Sequence, residues 1–221
     1  MLRLFNRGHR EEEKCIQYLK AIGFTVWTVD ENTGEQFRIH GAQGHYGGSA
    51  DSVGLTPFKE LDNKPILLEF KTHNRGSFSL LIKNGLILGK PQHYAQMCSY
   101  GAKFGFSYGM YYAVGKDDDD IYIEFVFLDP RHADDLSRKA EGIIYSQTAP
   151  PKISLQSSYY ECKFCAMNGI CHFHEPMEKN CRSCRNARPV DNAEWFCDRW
   201  QNIIPKDFIP TGCDQYYQIG E

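Results

Sequence analysis

The stretch PILLEFKTHN, residues 65–74, decides how the chain is read. Alternation with period two sends Ile66, Leu68 and Phe70 to one side of a strand and Leu67, Glu69 and Lys71 to the other. The first face is core; the second, with a carboxylate and an ammonium two residues apart, is either solvent or a site. Upstream, GGSADSVGL (47–55) is a second strand-like segment that carries Asp51. The intervening TPFKELDNKP (56–65) is rich in turn formers, Pro57, Asp62, Asn63 and Pro65, so the two segments are expected to pair antiparallel. Asp51 then approaches Glu69. Two carboxylates so close repel unless a cation lies between them, and hard oxygen donors suit Mg²⁺ or Mn²⁺. Lys71, pointing the same way, would hold a water or a phosphate oxygen beside that ion.

An Asp followed after a short spacer by Glu-x-Lys on a strand resembles the PD-(D/E)XK nuclease superfamily, here through Asp51, Glu69 and Lys71. NRGHREEEKCIQYLKAIGF (6–24) is similar to the opening helix of the branch that includes the RecB nuclease domain and phage lambda exonuclease, and the resemblance makes Glu12 an active-site acid. KPQHYAQMCSY (90–100) resembles the Gln-x-x-x-Tyr helix of that branch, with Gln96 and Tyr100. The succession EFKTHN, KPQHYAQM, YYECKFC, NCRSC and Trp-x-Cys looks like small stand-alone phage nucleases with a cysteine-rich tail, covering the chain from Arg7 to Cys197. Ala50 stands where the motif name has proline, a variation the superfamily tolerates.

The resemblance implies an α/β fold: a restriction-endonuclease-like core, with a central mixed sheet flanked by helices, over residues 1–148. A small cysteine-rich metal-binding subdomain would follow over 149–221. It also implies a Mg²⁺-dependent DNA exonuclease serving phage recombination or replication, beside a single-strand-annealing or single-strand-binding protein. In that reading Asp51, Glu69 and the Phe70 carbonyl hold the metal, and Glu12 completes its shell. Lys71 orients or deprotonates the attacking water, or neutralises the transition state. Gln96 and Tyr100 contact the DNA end or backbone, and His73 and Arg75 contact phosphate. Two alternatives stand beside it: an endonuclease or CRISPR-adaptation-like trimming nuclease with an iron–sulfur cluster, and a catalytically silent zinc-bearing DNA-binding protein.

A chain of 221 residues can bury one sizeable core and a small appendage. No segment approaches the roughly 18 consecutive apolar residues of a membrane helix, and the N-terminal residues lack a signal-peptide apolar run, so a cytoplasmic protein without membrane contact is expected, in the host cytoplasm if phage-encoded. The net charge of −3 argues against coating nucleic acid by bulk electrostatics. The first 100 residues nevertheless hold 12 Lys and Arg against 10 Asp and Glu, and the remainder 13 against 18, so the basic surplus falls on the half bearing the site.

Ile16, Leu19 and Ile22 recur at helical spacing over 8–22, with Gly23 as the stop. FTVWTVD (24–30) and EQFRIHG (35–41) read as strands around the turn ENTG. SFSLLIKNG (77–85) and PQHYAQMCSYGAKF (91–104) read as helices, the latter with Pro91 in its first turn. FSYGMYYAVG (106–115) and IYIEFVFLD (121–129) form a hairpin around a solvated KDDDD loop, and 131–145 is a helix.

Of nine cysteines, Cys15 and Cys98 lie in helical segments as inert thiols, while seven crowd the tail. In a cytosolic context C-x2-C spacing favours metal over disulfides. Cys162, Cys165, Cys181 and Cys184 match a zinc-ribbon pattern, with Cys171, His172, His174 and Cys197 open to a second site or a different partition. The competing cofactor, implied by resemblance, is a [4Fe-4S] cluster on Cys162, Cys165 and Cys171 with Cys15 as the fourth ligand.

Overall fold

The computed structural model describes residues 2–61 and 63–220. Its first compact unit comprises Met1–His40 and Gly47–Arg138, and its second Gly41–Tyr46 and Lys139–Glu221.

The first unit is α/β, with a mixed five-stranded sheet flanked by helices. Helix α1 (Leu2–Ala21) ends as expected: Gly23 has φ +98°, and the Phe24 N–H turns back to the Leu19 carbonyl at 3.0 Å. The strands are β1 (Thr25–Trp27), β4 (Ser52–Leu55), β5 (Pro65–His73), β6 (Tyr108–Gly115) and β7 (Ile121–Phe127), side by side in that order. β4 pairs antiparallel with β5, in a register that sets Ser52 opposite Leu68. β5 pairs parallel with β6, and β6 antiparallel with β7 as the expected hairpin. A parallel pair needs a long crossover. Helices α2 (Arg75–Gly89) and α3 (Pro91–Phe104) supply it. Pro91 starts α3, Gly105 in the left-handed region closes it, and Gly85 at φ +69° kinks α2, where the Leu86 N–H is taken up by Glu124 Oε2 at 2.8 Å.

β5 is buried on both faces. Ile66, Leu68 and Phe70 pack with Cys15 and Leu19 of α1 and with Met110 and Tyr112 of β6. Leu67 and Glu69, on the face shared with Tyr111, are completely inaccessible to solvent. The α1 stripe differs from the expected one, since Cys15, Ile16 and Leu19 face the core while Ile22 lies beyond the helix and is exposed. The two segments around ENTG do not pair with each other. β1 adds to β4, and β2 (Arg38–Gly41) forms a separate two-stranded sheet with β3 (Tyr46–Ser49).

α4 (Pro130–Ile144) is the expected helix, and no regular element follows until α5 (Tyr160–Lys163). In the second unit α5 and α6 (Asn168–Phe173) carry Cys162 and Cys171. A three-stranded antiparallel sheet is built from β8 (Ala187–Pro189), β9 (Trp195–Cys197) and β10 (Asn202–Ile203), with β9 in the middle. Among the described residues, no helix is long and apolar enough to cross a membrane.

Candidate active site

β5 and the residue just before β4 meet at one point. The β4–β5 ladder begins at Ser52, so Asp51 stands one step beyond it, and its Oδ2 accepts the Phe70 N–H at 3.0 Å. That bond fixes the carboxylate against the strand. The Lys71 ammonium lies 3.5 Å from the same Oδ2 and 3.2 Å from the Phe70 carbonyl, and it is ion-paired with Glu69 Oε1. Asp51, Glu69 and the Phe70 carbonyl, the three oxygen donors expected from the sequence to hold a divalent ion, therefore share one cation, Lys71 Nζ.

Glu69 is fully buried, and neither of its oxygens has a partner of hydrogen-bonding geometry. Burial pushes its carboxyl up to about 7; the Lys71 ammonium pulls it down, and the charges of Asp51 and Glu12 push it further up. Lys71 shows the reverse balance. Burial disfavours its charged form, but Glu69 and Asp51 more than offset this and hold the ammonium above the usual lysine range. Glu12, on α1, is raised by burial and then by Asp51. Glu12, Asp51, Phe70 and Lys71 line a cavity of about 270 Å³ together with Gly8 and His9. α1 thus brings Glu12 to the cavity that Asp51 and Lys71 line.

The Gln-x-x-x-Tyr helix lies alongside. Gln96 Nε2 donates to the Tyr100 hydroxyl at 3.2 Å, and Tyr100 is buried, with its phenol raised first by burial and then by Glu69 and Asp51. Room for that ring exists because residue 48 is glycine: a Cβ there would stand 2.6 Å from the Tyr100 oxygen. His73, expected at phosphate, is buried with both ring nitrogens engaged, Nδ1 with Ser77 Oγ at 3.0 Å and Nε2 with the Tyr111 hydroxyl at 2.8 Å. Arg75 is exposed, and its backbone N–H binds Asp117 of the β6–β7 loop at 2.7 Å.

Two residues beside the site were missed from sequence. His93 Nδ1 shares the Tyr111 hydroxyl at 2.7 Å and stacks on His73, and Lys90 reaches Ser77 Oγ at 2.7 Å. Their signal was the segment KPQH, which places both at the start of the Gln96 helix. Burial first, then the nearby lysines, depress both imidazoles to about 4. The rings are therefore neutral donors and acceptors near neutral pH.

The cysteines fall into different surroundings. Cys15 and Cys98 are buried in α1 and α3, and burial raises Cys15 to about 11, which suits an inert thiol. Cys162 and Cys165 form a tight turn in which the Cys165 N–H donates to the Cys162 carbonyl at 3.0 Å, and Cys171 follows on α6. Cys181, Cys184, Cys197 and Cys213 line one cavity of about 340 Å³. Among the described residues, no three His, Cys, Asp or Glu side chains already stand in an arrangement that would hold a metal ion.

No protein-family description matches the chain, and no curated protein matches it. Among solved structures it is similar to one titled "Crystal structure of SSO0001", at 22% identity over 76% of this chain and 70% of that one, with a TM-score of 0.44.

Proposed function

We propose that the chain is a metal-dependent deoxyribonuclease of the PD-(D/E)XK type, acting as a DNA exonuclease on a restriction-endonuclease-like core. The observation that carries this reading is the convergence of Asp51 Oδ2, Glu69 Oε1 and the Phe70 carbonyl on the single cation Lys71 Nζ. The donor set fits Mg²⁺ or Mn²⁺: all hard oxygens, two of them carboxylates, one fully buried with Lys71 as its ionic partner. Asp51, Glu69 and the Phe70 carbonyl would hold the ion, with Glu12 at the margin. When bound there, the ion supplies positive charge for the developing phosphorane and acidifies a water at neutral pH. The protein's own contribution is positional. The Phe70 N–H pins Asp51, and burial keeps Glu69 poised for a cation. Lys71, released from Glu69, offers its ammonium to the reacting phosphate or to the attacking water.

In this reading Gln96 and Tyr100 of α3, bonded to each other, would contact the DNA end or backbone, and exposed Arg75 with the lysines 90 and 116 would supply a local basic lining in an otherwise acidic protein. This lining suits phosphate contact near the centre. The setting that fits is phage recombination or replication in the host cytoplasm, beside a single-strand-annealing or single-strand-binding protein. The tail is read as a structural metal-bearing subdomain.

Digestion of linear, nicked and covalently closed DNA with Mg²⁺ tests the proposal. Loss of linear DNA from its ends, with closed circles intact and the Glu69→Gln protein inert, is the expected result. Cleavage of closed circles would select the endonuclease alternative. An inactive wild type that still binds DNA would select the silent one.

A further inference from the structure

The second unit has a small core, and much of it is sulfur. Its buried cluster consists of Cys184, Ala187, Ile204 and Ile209, with Cys181, Cys197, Trp195 and Tyr216 packed against it. So few apolar side chains bury too little area to offset the entropy of ordering a region of this length, and small units of this kind are ordinarily held by a cross-link or a metal.

Three separate pieces of backbone bring four thiols to that core. Cys181 and Cys184 sit on a tight turn framed by Asn180 and Ser183: the Asn180 side chain accepts the Ser183 N–H at 3.1 Å, the Ser183 hydroxyl accepts the Asn180 N–H at 3.3 Å, and the Cys184 N–H returns to the Cys181 carbonyl at 3.2 Å. Cys197 occupies the central strand β9, opposite Ala187 on one side and Asn202 on the other. Cys213 follows Gly212, whose φ of +63° turns the chain back toward the Cys181 turn. The Cys181 N–H is anchored on the Ile209 carbonyl at 2.9 Å, which ties that turn to the segment leading into Cys213. The four side chains line a single cavity with Tyr216 and Ile204.

We propose that Cys181, Cys184, Cys197 and Cys213 form one closed four-thiolate site for a structural zinc-class cation, with Cys213 as a ligand and with Cys162 and Cys165 outside it. This rests on the reading of the tail as metal-bearing and specifies it. The sequence pattern pairs Cys162 and Cys165 with Cys181 and Cys184, whereas the fold supplies Cys181 and Cys184 with different partners. Four sulfur donors and no open position are the pattern of structural rather than catalytic zinc. Among the described residues no metal-holding arrangement is already formed, so binding requires the four sulfurs to draw together to Zn–S distances of about 2.3 Å.

The test uses the full chain, purified under reducing conditions, with metal content measured by elemental analysis and thiols mapped by alkylation and mass spectrometry. Wild type should carry zinc, and Cys181, Cys184, Cys197 and Cys213 should resist alkylation together until a strong chelator exposes all four. Cys213→Ser should lose one equivalent, whereas Cys162→Ser should keep the metal of this site. If Cys213→Ser does not fold, the wild-type protection map still decides. Protection of Cys162 and Cys165 together with Cys181 and Cys184, with Cys213 reactive, would overturn the assignment. So would four equally reactive thiols in a metal-free protein, or thiols found as disulfides. Nuclease activity lost in Glu69→Gln with the zinc retained keeps the two proposals separable, since either can fail alone.

Discussion

The Phe70 N–H donates to Asp51 Oδ2 at 3.0 Å, so a side chain completes the hydrogen-bonding edge of β5 where the β4 ladder has stopped. One consequence is that Asp51→Asn, which can present its carbonyl oxygen to the same N–H, should fold normally while losing metal-dependent cleavage by a factor of roughly 10² or more. Asp51→Ala should in addition lose about 1 kcal/mol of stability, because the Phe70 N–H loses its acceptor. Urea unfolding of both variants separates the two effects.

Glu69 should make the metal-free protein less stable as pH rises. Its folded pKa, about 7, lies above the ordinary carboxyl value, so its favourable neutral form is fully present below about pH 4.5 and is lost as pH climbs through 7. The difference between wild type and Glu69→Gln isolates this effect, on the order of 3 kcal/mol at pH 8 without divalent ion, with the variant the more stable. Added Mg²⁺ should shrink the gap. A flat difference between pH 5 and 8 would show that Glu69 is not strained.

Lys71→Ala should lower single-turnover cleavage by roughly 10²- to 10⁴-fold while leaving DNA affinity within a few-fold, if its ammonium serves the reacting phosphate. Loss of binding with normal saturated cleavage would reassign it to the DNA backbone.

The His73–Tyr111–His93 cluster should make the protein acid-sensitive. Both imidazoles are depressed to about 4, so the stability they contribute is complete above about pH 6.5 and lost as pH falls through 4. His93→Gln, which cannot take up a proton, should flatten the fall of the urea midpoint between pH 6.5 and 4.5 by the equivalent of about 2 kcal/mol.

Gly48→Ala should cost about 1–3 kcal/mol, because its methyl would meet the Tyr100 hydroxyl at 2.6 Å and Cε1 at 2.9 Å. Adding Tyr100→Phe should recover part of that loss. Additive effects in the double variant would deny the contact.

The strands with local partners were legible in the sequence, and those with distant partners were not. The β4–β5 and β6–β7 pairings follow from alternation bounded by turn formers, and Pro91 and Gly105 mark the ends of α3. Of the two readings of the second β5 face, solvent or a site, the sequence could not choose, because its burial depends on α2 and α3, which the parallel pairing with β6 brings over the strand. β1 joins β4 across some 25 residues, a choice that the nearby ENTG turn could not announce. At the site, Asp51, Glu69, Lys71 and Glu12 were readable from spacing and resemblance. His93 and Lys90 were not, since KPQH marks the start of α3 but says nothing of which neighbours either side chain meets. Cys213 lacks a C-x2-C partner, and only the fold of the tail brings it beside Cys181.

Asp51 and Glu69 belong to regions that open to water by different routes. β5 is paired with β6 from Leu67 to His73 and with β4 from Pro65 to Leu68, so its amide protons are expected to exchange through large openings of the sheet. Asp51 lies outside the regular strand, in a bend held by the Phe70 bond and by the neighbouring Ala50 N–H on the Phe37 carbonyl at 2.9 Å. Its amide is expected to exchange through a much smaller opening. Breathing of the carboxylate pair is therefore expected to be one-sided, with Glu69 held in the sheet and Asp51 the more easily displaced; if the proposed cation binds there, the opening at Asp51 would set how quickly it enters or leaves.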